Sequence, residues 1–260
     1  MIKASILIAN YNSANYIDQC LSSLNSQTNN NFEVIFFDDN SSDNSLEKIK
    51  KFKNIKVIEN KKRTAFGSLN QINAYKSAFK KSTGEILIFL DSDDYFNENK
   101  VEKVISYFNN NSDKNILFDL PIIVKDRKYL KKKKSLKLLK TYWPYIHPQS
   151  CISIKRKIAD KMFKLIEYQK YTDVWMDFRI CLFSKYILRE YSSFNENLTY
   201  YRQTDTNISS GFKKFSSNWW KRRKEAHSYL FSFAKDNNFK IRKNLDFMVT
   251  NFINNFIKNG

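Results

Sequence analysis

Three carboxylates lie within four positions of one another, directly after an apolar run, at residues 87–95 (LIFLDSDDY). A short apolar run of this kind predicts a strand buried on both faces, and the end of that strand places Asp91, Asp93 and Asp94 in one turn. Two like charges about 4 Å apart repel by roughly 4 kcal/mol at an effective dielectric constant near 20. Water, a basic partner or a divalent cation must therefore offset the repulsion.

Two earlier apolar runs also end in polar residues. The run at residues 5–9 (SILIA) continues into Asn10 and Tyr11, and the run at residues 33–37 (EVIFF) continues into a cluster that begins with Asp38 and Asp39. Because ligands of open parallel sheets bind at the carboxyl ends of the strands, these clusters and the acidic turn are expected at one rim.

The elements that would position these residues alternate along the first half of the chain. Apolar runs predict strands at residues 5–9, 33–37, 55–59 and 85–90. Helical patterns lie between them at residues 16–27, 41–52 and 67–82, with a further amphipathic helix at 101–108. This alternation predicts an α/β fold with a mostly parallel central sheet flanked by helices.

The second half of the chain is less regular. Residues 125–140 form a basic stretch, interpreted as a solvated loop or helix, and residues 151–154 predict one more strand. From residue 216 to residue 259 the pattern is helical, aromatic and basic. Trp219 and Trp220, followed by KRRK, leave two alternatives: peripheral contact with an anionic membrane leaflet, or packing on the preceding domain.

The composition describes a globular and strongly basic protein. With 42% hydrophobic residues, a chain of 260 residues can bury a sizeable core. The formal net charge of +19 indicates either a general bias towards lysine or a basic surface that faces nucleic acid, an anionic membrane or a phosphorylated substrate. Nucleic acid is the least supported of these partners, because no zinc-ligand spacing or RNA-binding signature is present.

The cysteines and the apolar runs indicate where in the cell the protein is expected. Cys20, Cys151 and Cys181 are odd in number and widely spaced, which fits free thiols in a reducing compartment. The first residues, MIKASILIANYN, do not predict a signal peptide, and the sequence has no apolar run of the roughly 20 residues that span a bilayer. We expect a cytoplasmic protein, with peripheral contact at the inner face of the cytoplasmic membrane as the alternative location.

Together, the segments SILIANYNSANYIDQCLSSL, EVIFFDDNSSDNS and GEILIFLDSDDYF resemble the opening of the inverting glycosyltransferases of family 2, which build bacterial surface polysaccharides and have the GT-A fold. The resemblance implies a GT-A, Rossmann-like domain at residues 1–212. Its nucleotide-sugar half would be residues 1–110 and its acceptor half residues 111–212. A helical, basic and aromatic extension would follow at residues 213–260.

The resemblance also implies roles for residues at the rim. Asp39 would accept a hydrogen bond from the imide N–H of uracil, and Asn10 and Tyr11 would contact the nucleotide. Asp93 would ligate Mg²⁺ or Mn²⁺, both of which suit carboxylate and phosphate oxygens. Asp91 would contact the ribose or the water shell of the metal and is a second candidate ligand.

Inverting transfer also needs a general base, which contributes roughly 10²–10⁴ to the rate. Family members carry it in a Glu-Asp pair, with an Arg six residues after the Asp. In YTDVWMDFRI the matching residues are Asp173 and Arg179, while Thr172 stands in place of the Glu. Asp177 lies four residues after Asp173, on the same face of a predicted helix, and is the reserve candidate. The alternative interpretation of both carboxylates is surface acid.

The segment LTYYRQTDTNISS resembles the family segment in which Tyr-Arg is commonly followed by a His. Arg202 would meet the donor diphosphate, since its planar fork suits phosphate oxygens. Thr204 takes the position of the His, which puts a metal or phosphate role there in doubt. Lys62 and Arg63 are secondary candidates for contacts with phosphate or acceptor.

The predicted function is metal-dependent transfer of a sugar, with inversion, from a nucleoside-diphosphate sugar to a hydroxyl of a glycan or lipid-linked acceptor. Asp39 favours a UDP-sugar. A sugar nucleotidyltransferase is an alternative, although the usual Gly-rich basic loop is missing from NYNSANY after the first strand. A basic nucleic-acid-binding protein without catalysis is a second alternative, and it would bind oligonucleotides without needing a metal.

Overall fold

The computed structural model describes residues 3–131, 142–191, 193–204 and 211–258. Within these ranges the strands form one mixed sheet. The strands are β1 (Ala4–Asn10), β2 (Phe32–Asp38), β3 (Ile55–Glu59), β4 (Ile86–Asp91), β5 (Tyr95–Phe96), β6 (Ile116–Lys125), β7 (Lys128–Lys131), β8 (Ile152–Lys155) and β9 (Ser193–Arg202). The four strands predicted in the first half of the chain are confirmed to within one residue at each end.

Helices connect most of these strands and also end the described chain. They are α1 (Ile17–Asn25), α2 (Ser45–Ile49), α3 (Gly67–Lys81), α4 (Lys100–Asn110), α5 (Ala159–Ile166), α6 (Met176–Leu182), α7 (Ser217–Asp236) and α8 (Leu245–Lys258). Short 3₁₀ turns cover Gln149–Cys151 and Arg156–Ile158, and a π-helical turn at Phe183–Leu188 continues α6.

The sheet has the strand order β3-β2-β1-β4-β8-β6-β9-β5, with β7 paired to β6. The strands β1 to β4 are parallel to one another, as predicted. β8 runs antiparallel to both β4 and β6, whereas β9 is parallel to β6. The predicted α/β fold is confirmed, but the sheet is mixed rather than mostly parallel because β5, β7 and β8 each pair antiparallel to a neighbour.

The basic stretch at residues 125–140 is only partly described. Its first part forms β7, which pairs antiparallel with β6, where the sequence predicted a loop or helix. Residues 132–141 lie outside the described residues.

The two faces of the sheet are covered by separate apolar clusters. Alternate residues of β1 point to opposite sides: Ile6 and Ile8 pack with α1 and α4, while Leu7 packs with α3, α5, α6 and α7. This alternation follows from the period-2 geometry of a strand, and it explains why the central strands are apolar throughout. α7 adds Tyr229 and Phe233 to the second of these clusters.

A buried arginine organises the chain before α6. Arg179 is 0% exposed. Its side chain donates hydrogen bonds to the backbone carbonyls of Ile166 (2.6 Å) and Val174 (2.9 Å), and to that of Tyr171. The guanidinium also lies 4.9 Å from the centre of the Tyr229 ring on α7. Arg179 thereby fixes the loop between α5 and α6.

Candidate active site

A cleft of about 420 Å³ opens where β1, β2 and β4 end. The strand register explains its position, since Asn10 pairs with Asp38 on one side of β1 and Ala9 pairs with Asp91 on the other. Six residues predicted for the site line the cleft: Asn10, Tyr11, Asp39, Asp91, Asp93 and Asp177. Two others, Asp173 and Arg202, are described but lie outside the lining.

Asp38 and Asp39 have different environments although they are adjacent in sequence. The Asn10 amide donates to Asp38 Oδ1 (2.7 Å) and to Ser41 Oγ (3.1 Å), and the Ser41 backbone N–H donates to Asp38 Oδ2 (2.9 Å). Asp38 therefore holds the turn. Asp39 donates its backbone N–H to the Asn10 carbonyl (2.8 Å), and its side chain lines the cleft.

Asn60 and Arg63, both in the segment that follows β3, approach the Asp39 carboxylate. Arg63 Nε lies 3.3 Å from Asp39 Oδ2, and the Asn60 amide donates to Asp39 Oδ1 (2.7 Å). The Arg63 guanidinium carbon is 3.1 Å from the centroid of the Tyr11 ring, a stacked cation–π arrangement. Burial raises the pKa of Asp39, although Asn60 and Arg63 oppose the shift. Arg63, a secondary candidate, thus becomes part of the cleft wall.

One oxygen of Asp91 is held by helix α3. Asp91 Oδ1 accepts hydrogen bonds from the Tyr75 hydroxyl (2.7 Å) and the Gln71 amide (3.0 Å). The Asp91 backbone N–H donates to Ser150 Oγ (2.9 Å). Burial raises the pKa of Asp91. Its carboxylate is therefore fixed in orientation, with Oδ2 left open.

The other two carboxylates of the turn have separate positions. Asp94 is buried, and it accepts hydrogen bonds from Ser150 Oγ (2.6 Å) and from the Arg202 backbone N–H (2.8 Å). The Asp93 carboxylate lines the cleft and has no side-chain or ion-pair partner among the described residues. Burial and the charge of Asp91 raise the pKa of Asp93 to about 7. The open carboxylates are those of Asp91 and Asp93.

Arg202 braces this turn from behind. Its guanidinium donates to the backbone carbonyl of Asp93 and to the side chain of Gln19. It also lies 4.6 Å from the ring centre of Tyr95 and 5.1 Å from that of Tyr16. These contacts hold the guanidinium against the protein, and Arg202 does not line the cleft. Its contact with a donor diphosphate therefore stays a prediction.

The open carboxylates fit a hard divalent cation. Within the described ranges, no group of three or more His, Cys, Asp or Glu side chains could hold a metal by itself. Asp91 and Asp93 would supply two oxygen ligands, and Mg²⁺ and Mn²⁺ sites of this kind take their remaining ligands from water and substrate phosphates.

Asp177 lies in the first turn of α6 and faces the cleft. Its Oδ1 accepts a hydrogen bond from the Phe178 backbone N–H (2.7 Å). Burial raises the pKa of Asp177 to about 7; the charge of Asp91 adds to the shift and that of Arg222 opposes it. A carboxyl group with this pKa exchanges a proton near neutral pH, which suits a general base.

Asp173 is exposed and precedes the helix. Its backbone N–H donates to the Glu225 carboxylate (3.1 Å), and its carbonyl accepts from Arg222 Nε (2.7 Å). The prediction that Asp173 and Asp177 share one helical face is wrong, because α6 begins only at Met176. The structure brings Asp177 to the cleft and leaves Asp173 outside it.

Several residues of the cleft wall were missed from the sequence. The side chains in question are Gln71, Gln149, Trp175, Tyr201 and Arg222. Both polar atoms of the Gln149 amide are buried without a hydrogen-bond partner in the described part of the chain. Trp175 stands beside the candidate base in YTDVWMDFRI, which was an available signal. Nothing in the sequence indicated Arg222, since a basic residue on a helix is normally solvated.

The chain is similar to known proteins in sequence and in structure. A model of the family described as "Glycosyl transferase family 2" matches residues 5–187. An uncharacterized glycosyltransferase of Nostoc sp. is 28% identical over 214 residues, which are 77% of this chain and 65% of that protein. A glucosyltransferase of Escherichia coli, WfgD, is 37% identical over 105 residues, or 39% of each protein; its name gives UDP-Glc as donor and GlcNAc-diphosphoundecaprenol as acceptor.

Staphylococcus aureus TarS, a poly(ribitol-phosphate) β-N-acetylglucosaminyltransferase, is 32% identical over 110 residues, which are 41% of this chain and 19% of TarS. The crystal structure of TarS residues 1–349 with UDP has a TM-score of 0.63 at 17% identity, covering 88% of this chain and 66% of that one. The likeness in structure shows a common fold. The chain spans 65% of the length of the Nostoc relative and less of WfgD and TarS.

Proposed function

The chain belongs to glycosyl transferase family 2, and we propose on that basis that it transfers a sugar from a nucleoside-diphosphate sugar to a hydroxyl of an acceptor. The observation that carries this proposal is the grouping of Asp39, Asp91, Asp93 and Asp177 around one cleft. A nucleotide-side carboxylate, two open metal ligands and a carboxyl group with a pKa of about 7 are the parts that such a transfer requires.

Asp93 and Asp91 would hold Mg²⁺ or Mn²⁺ together with the donor diphosphate. The cation supplies compensation for the negative charge that develops on the departing nucleoside diphosphate. Asp93 is suited to direct ligation because its carboxylate is open. Asp91 is suited to a fixed second position, because Tyr75 and Gln71 hold its other oxygen.

The proposed donor is a UDP-sugar. Asp39 can accept a hydrogen bond from the imide N–H of uracil, and its neighbours Tyr11 and Arg63 present a flat stacked surface beside it. Asn10 orders the turn that carries Asp39. The fold shared with TarS, which is known bound to UDP, supports this choice.

Asp177 is the general base in this proposal. It would remove the proton of the acceptor hydroxyl while that oxygen attacks the anomeric carbon from the face opposite the diphosphate. One bond forms and one breaks in a single displacement, so the anomeric configuration inverts. Asp173 remains the alternative base predicted by the sequence motif, and a comparison of variants at the two positions separates them.

The proposed acceptor is a phosphate-bearing glycan or lipid-linked sugar of the cell envelope. Two relatives support this class, since the names of TarS and WfgD give poly(ribitol-phosphate) and a diphosphoundecaprenol-linked sugar as their acceptors. A strongly basic chain, with a formal net charge of +19, suits such anionic acceptors.

The proposal can be tested by calorimetric titration of UDP into the protein with and without Mn²⁺, repeated on Asp93→Asn. Metal-dependent binding that the variant loses is expected. Asp113→Asn, which removes the same charge from an exposed residue outside the cleft lining, would serve as the control. If UDP fails to bind under all conditions, titration with GDP, CDP and dTDP decides whether another base is recognised; failure of all four would contradict the proposed donor site.

Peripheral contact with an anionic membrane also stays a prediction, and we propose α8 as its surface in place of Trp219 and Trp220. None of the described helices has the length and apolar character needed to cross a bilayer. Trp219 and Trp220 are half-buried and pack against each other at 4.7 Å between ring centres. An exposed apolar stripe instead runs along α8: Leu245, Met248, Val249, Phe252 and Phe256.

Exposed Lys240, Arg242 and Lys243 directly precede that stripe. Cations beside an apolar helix face are typical of interfacial helices, and each is worth about 1 kcal/mol near an anionic surface. Flotation with phosphatidylglycerol vesicles at low and high salt tests the contact, with Phe252→Asp compared against Lys235→Asp on α7. Binding that Phe252→Asp abolishes supports the stripe, and equal flotation of both variants contradicts it.

A further inference from the structure

Helix α7, which follows the family-matched residues 5–187, contributes one side chain to the cleft. Arg222 lines the cleft together with Asp177, and only 7% of the residue surface is exposed. The catalytic cleft is thus completed by a helix of the C-terminal extension.

The guanidinium of Arg222 is held rigidly. Its carbon lies 4.3 Å from the ring centre of Trp175 and 4.2 Å from that of Phe212. Its Nε donates a hydrogen bond to the Asp173 carbonyl (2.7 Å). Three contacts therefore fix the plane and the direction of the fork, so that little conformational entropy remains to be lost when it binds a ligand.

The two terminal nitrogens of this fork are open. Arg222 Nη1 and Nη2 have no hydrogen-bond partner among the described residues, and no carboxylate of that part of the chain lies within ion-pair distance of Arg222. The terminal nitrogens of two other buried arginines are used differently: those of Arg179 and Arg202 donate to backbone carbonyls. Burial disfavours the charge of Arg222, and the nearby charges of Asp177, Asp173 and Glu225 offset this only in part, so an anionic ligand in direct contact would stabilise the cation further.

We propose that Arg222 binds a phosphate group of the acceptor, with Nη1 and Nη2 donating to two of its oxygens beside Asp177. This inference rests on the proposed function for the identity of the acceptor. A bidentate fork matches phosphate geometry, whereas a sugar hydroxyl would need only one donor. The location beside Asp177, rather than behind Asp91 and Asp93, favours the acceptor over the donor diphosphate as the source of the phosphate.

The same contact would set acceptor specificity. A phosphate anchored at Arg222 places the neighbouring sugar or polyol hydroxyl at a fixed distance from Asp177. An acceptor without phosphate would leave the guanidinium unpaired and would bind more weakly. The C-terminal extension would therefore select phosphate-bearing acceptors for a cleft whose donor side comes from β1, β2 and β4.

The test uses glycerol 3-phosphate as a phosphomonoester probe in a phosphorus NMR titration, with calorimetric titration of UDP and Mg²⁺ run in parallel. The variants are Arg222→Gln and Arg222→Lys. Arg223→Gln on the same helix is the matched control, because Arg223 pairs with Asp246 on α8 and does not line the cleft. Thermal melting of each variant establishes that it is folded. If Arg222→Gln fails to fold, Arg222→Lys carries the test.

We expect Arg222→Gln to weaken glycerol 3-phosphate binding roughly 10- to 100-fold, the size typical of hydrogen bonds to a charged group. The affinity of Arg222→Lys for glycerol 3-phosphate should lie between those of Arg222→Gln and the wild type, since lysine keeps the charge and loses the planar fork. The affinity of Arg223→Gln should match the wild type. UDP binding should be unchanged in all three variants. With an active preparation, Arg222→Gln should raise KM for a phosphate-bearing acceptor, and Arg223→Gln should leave that KM at the wild-type value.

A loss of UDP affinity in Arg222→Gln, with glycerol 3-phosphate binding intact, would assign the phosphate to the donor and overturn the acceptor site. Unchanged binding of both probes would overturn any phosphate role for Arg222. The probe titration needs no transferase activity. A wild-type protein that binds glycerol 3-phosphate but no nucleotide would therefore contradict the proposed function and leave the Arg222 site standing.

Discussion

Replacement of Asp177 by Asn is expected to abolish turnover while sparing nucleotide binding. The variant keeps the size of the side chain and its oxygen acceptor for the Phe178 N–H, so helix α6 should be undisturbed. It loses the proton acceptor, which is worth roughly 10²–10⁴ in rate for a positioned general base. Asp173→Asn should retain near-normal turnover, because Asp173 is exposed outside the cleft.

The pH dependence gives a second measure of the same group. Burial raises the pKa of Asp177 to about 7. Only the ionised carboxylate can act as base, so at saturating Mn²⁺, where the bound cation would keep Asp93 ionised, kcat/KM should be about one tenth of its plateau at pH 6 and about nine tenths at pH 8. An ordinary surface aspartate would be ionised throughout this range, so kcat/KM would show no such rise, or limb, between pH 6 and pH 8. Arg222→Gln removes a cation that lowers the pKa of Asp177 and should move the limb to higher pH.

The assay is release of UDP from UDP-glucose or UDP-N-acetylglucosamine, by slow transfer to water, between pH 5 and 9, with UDP affinity measured separately. Normal turnover in Asp177→Asn, combined with loss of turnover in Asp173→Asn, would refute the assignment and support the base predicted from the motif. A flat pH profile in the wild type would refute the role of burial in tuning Asp177.

Three further predictions concern the rest of the molecule. Asp93→Asn should remove the dependence of UDP affinity on Mn²⁺, and an unchanged metal dependence in calorimetry would contradict direct ligation. Tyr75→Phe should weaken metal-dependent UDP binding roughly 10-fold, the value of one hydrogen bond to a charged group, and affinity equal to wild type would show that Asp91 needs no orientation by α3. Lys100→Met should destabilise the fold by about 3–5 kcal/mol in urea unfolding, because the buried Asp119 carboxylate loses its ion pair (2.8 Å). A Lys100→Met/Asp119→Leu double variant should recover part of that loss, and no recovery would contradict the ion-pair explanation.

The rim of the cleft formed by the ends of β1, β2 and β4 was predictable from the sequence. Apolar runs of the right length predict β1, β2 and β4, and parallel strands bring their carboxyl ends to one edge of a sheet. Asn10, Asp39 and Asp91 follow those runs directly. Their meeting at one rim is therefore a consequence of local pattern and of connection rules alone.

The side of the cleft formed by α6 and α7 depended on contacts between residues far apart in the chain. Asp173 and Asp177 both fitted a helical spacing. However, the Arg179 side chain donates hydrogen bonds to backbone carbonyls of the preceding loop, and α6 begins only at Met176. Arg202 follows a recognisable motif, yet its guanidinium is turned towards the carbonyl of Asp93 by the pairing of β9 with β5. No local pattern encodes either outcome.

The sequence by itself determined the α/β alternation, the rim and the acidic turn, because strand polarity and period-2 burial are local properties. The tertiary structure alone decided which carboxylate faces the cleft and which arginine joins it. α7 reaches the cleft because Tyr229 and Phe233 pack into the cluster beneath α5 and α6, and that packing carries Arg222 to the side of Asp177. Such long-range packing is set by the shape of the whole core, which spacing along the chain does not specify.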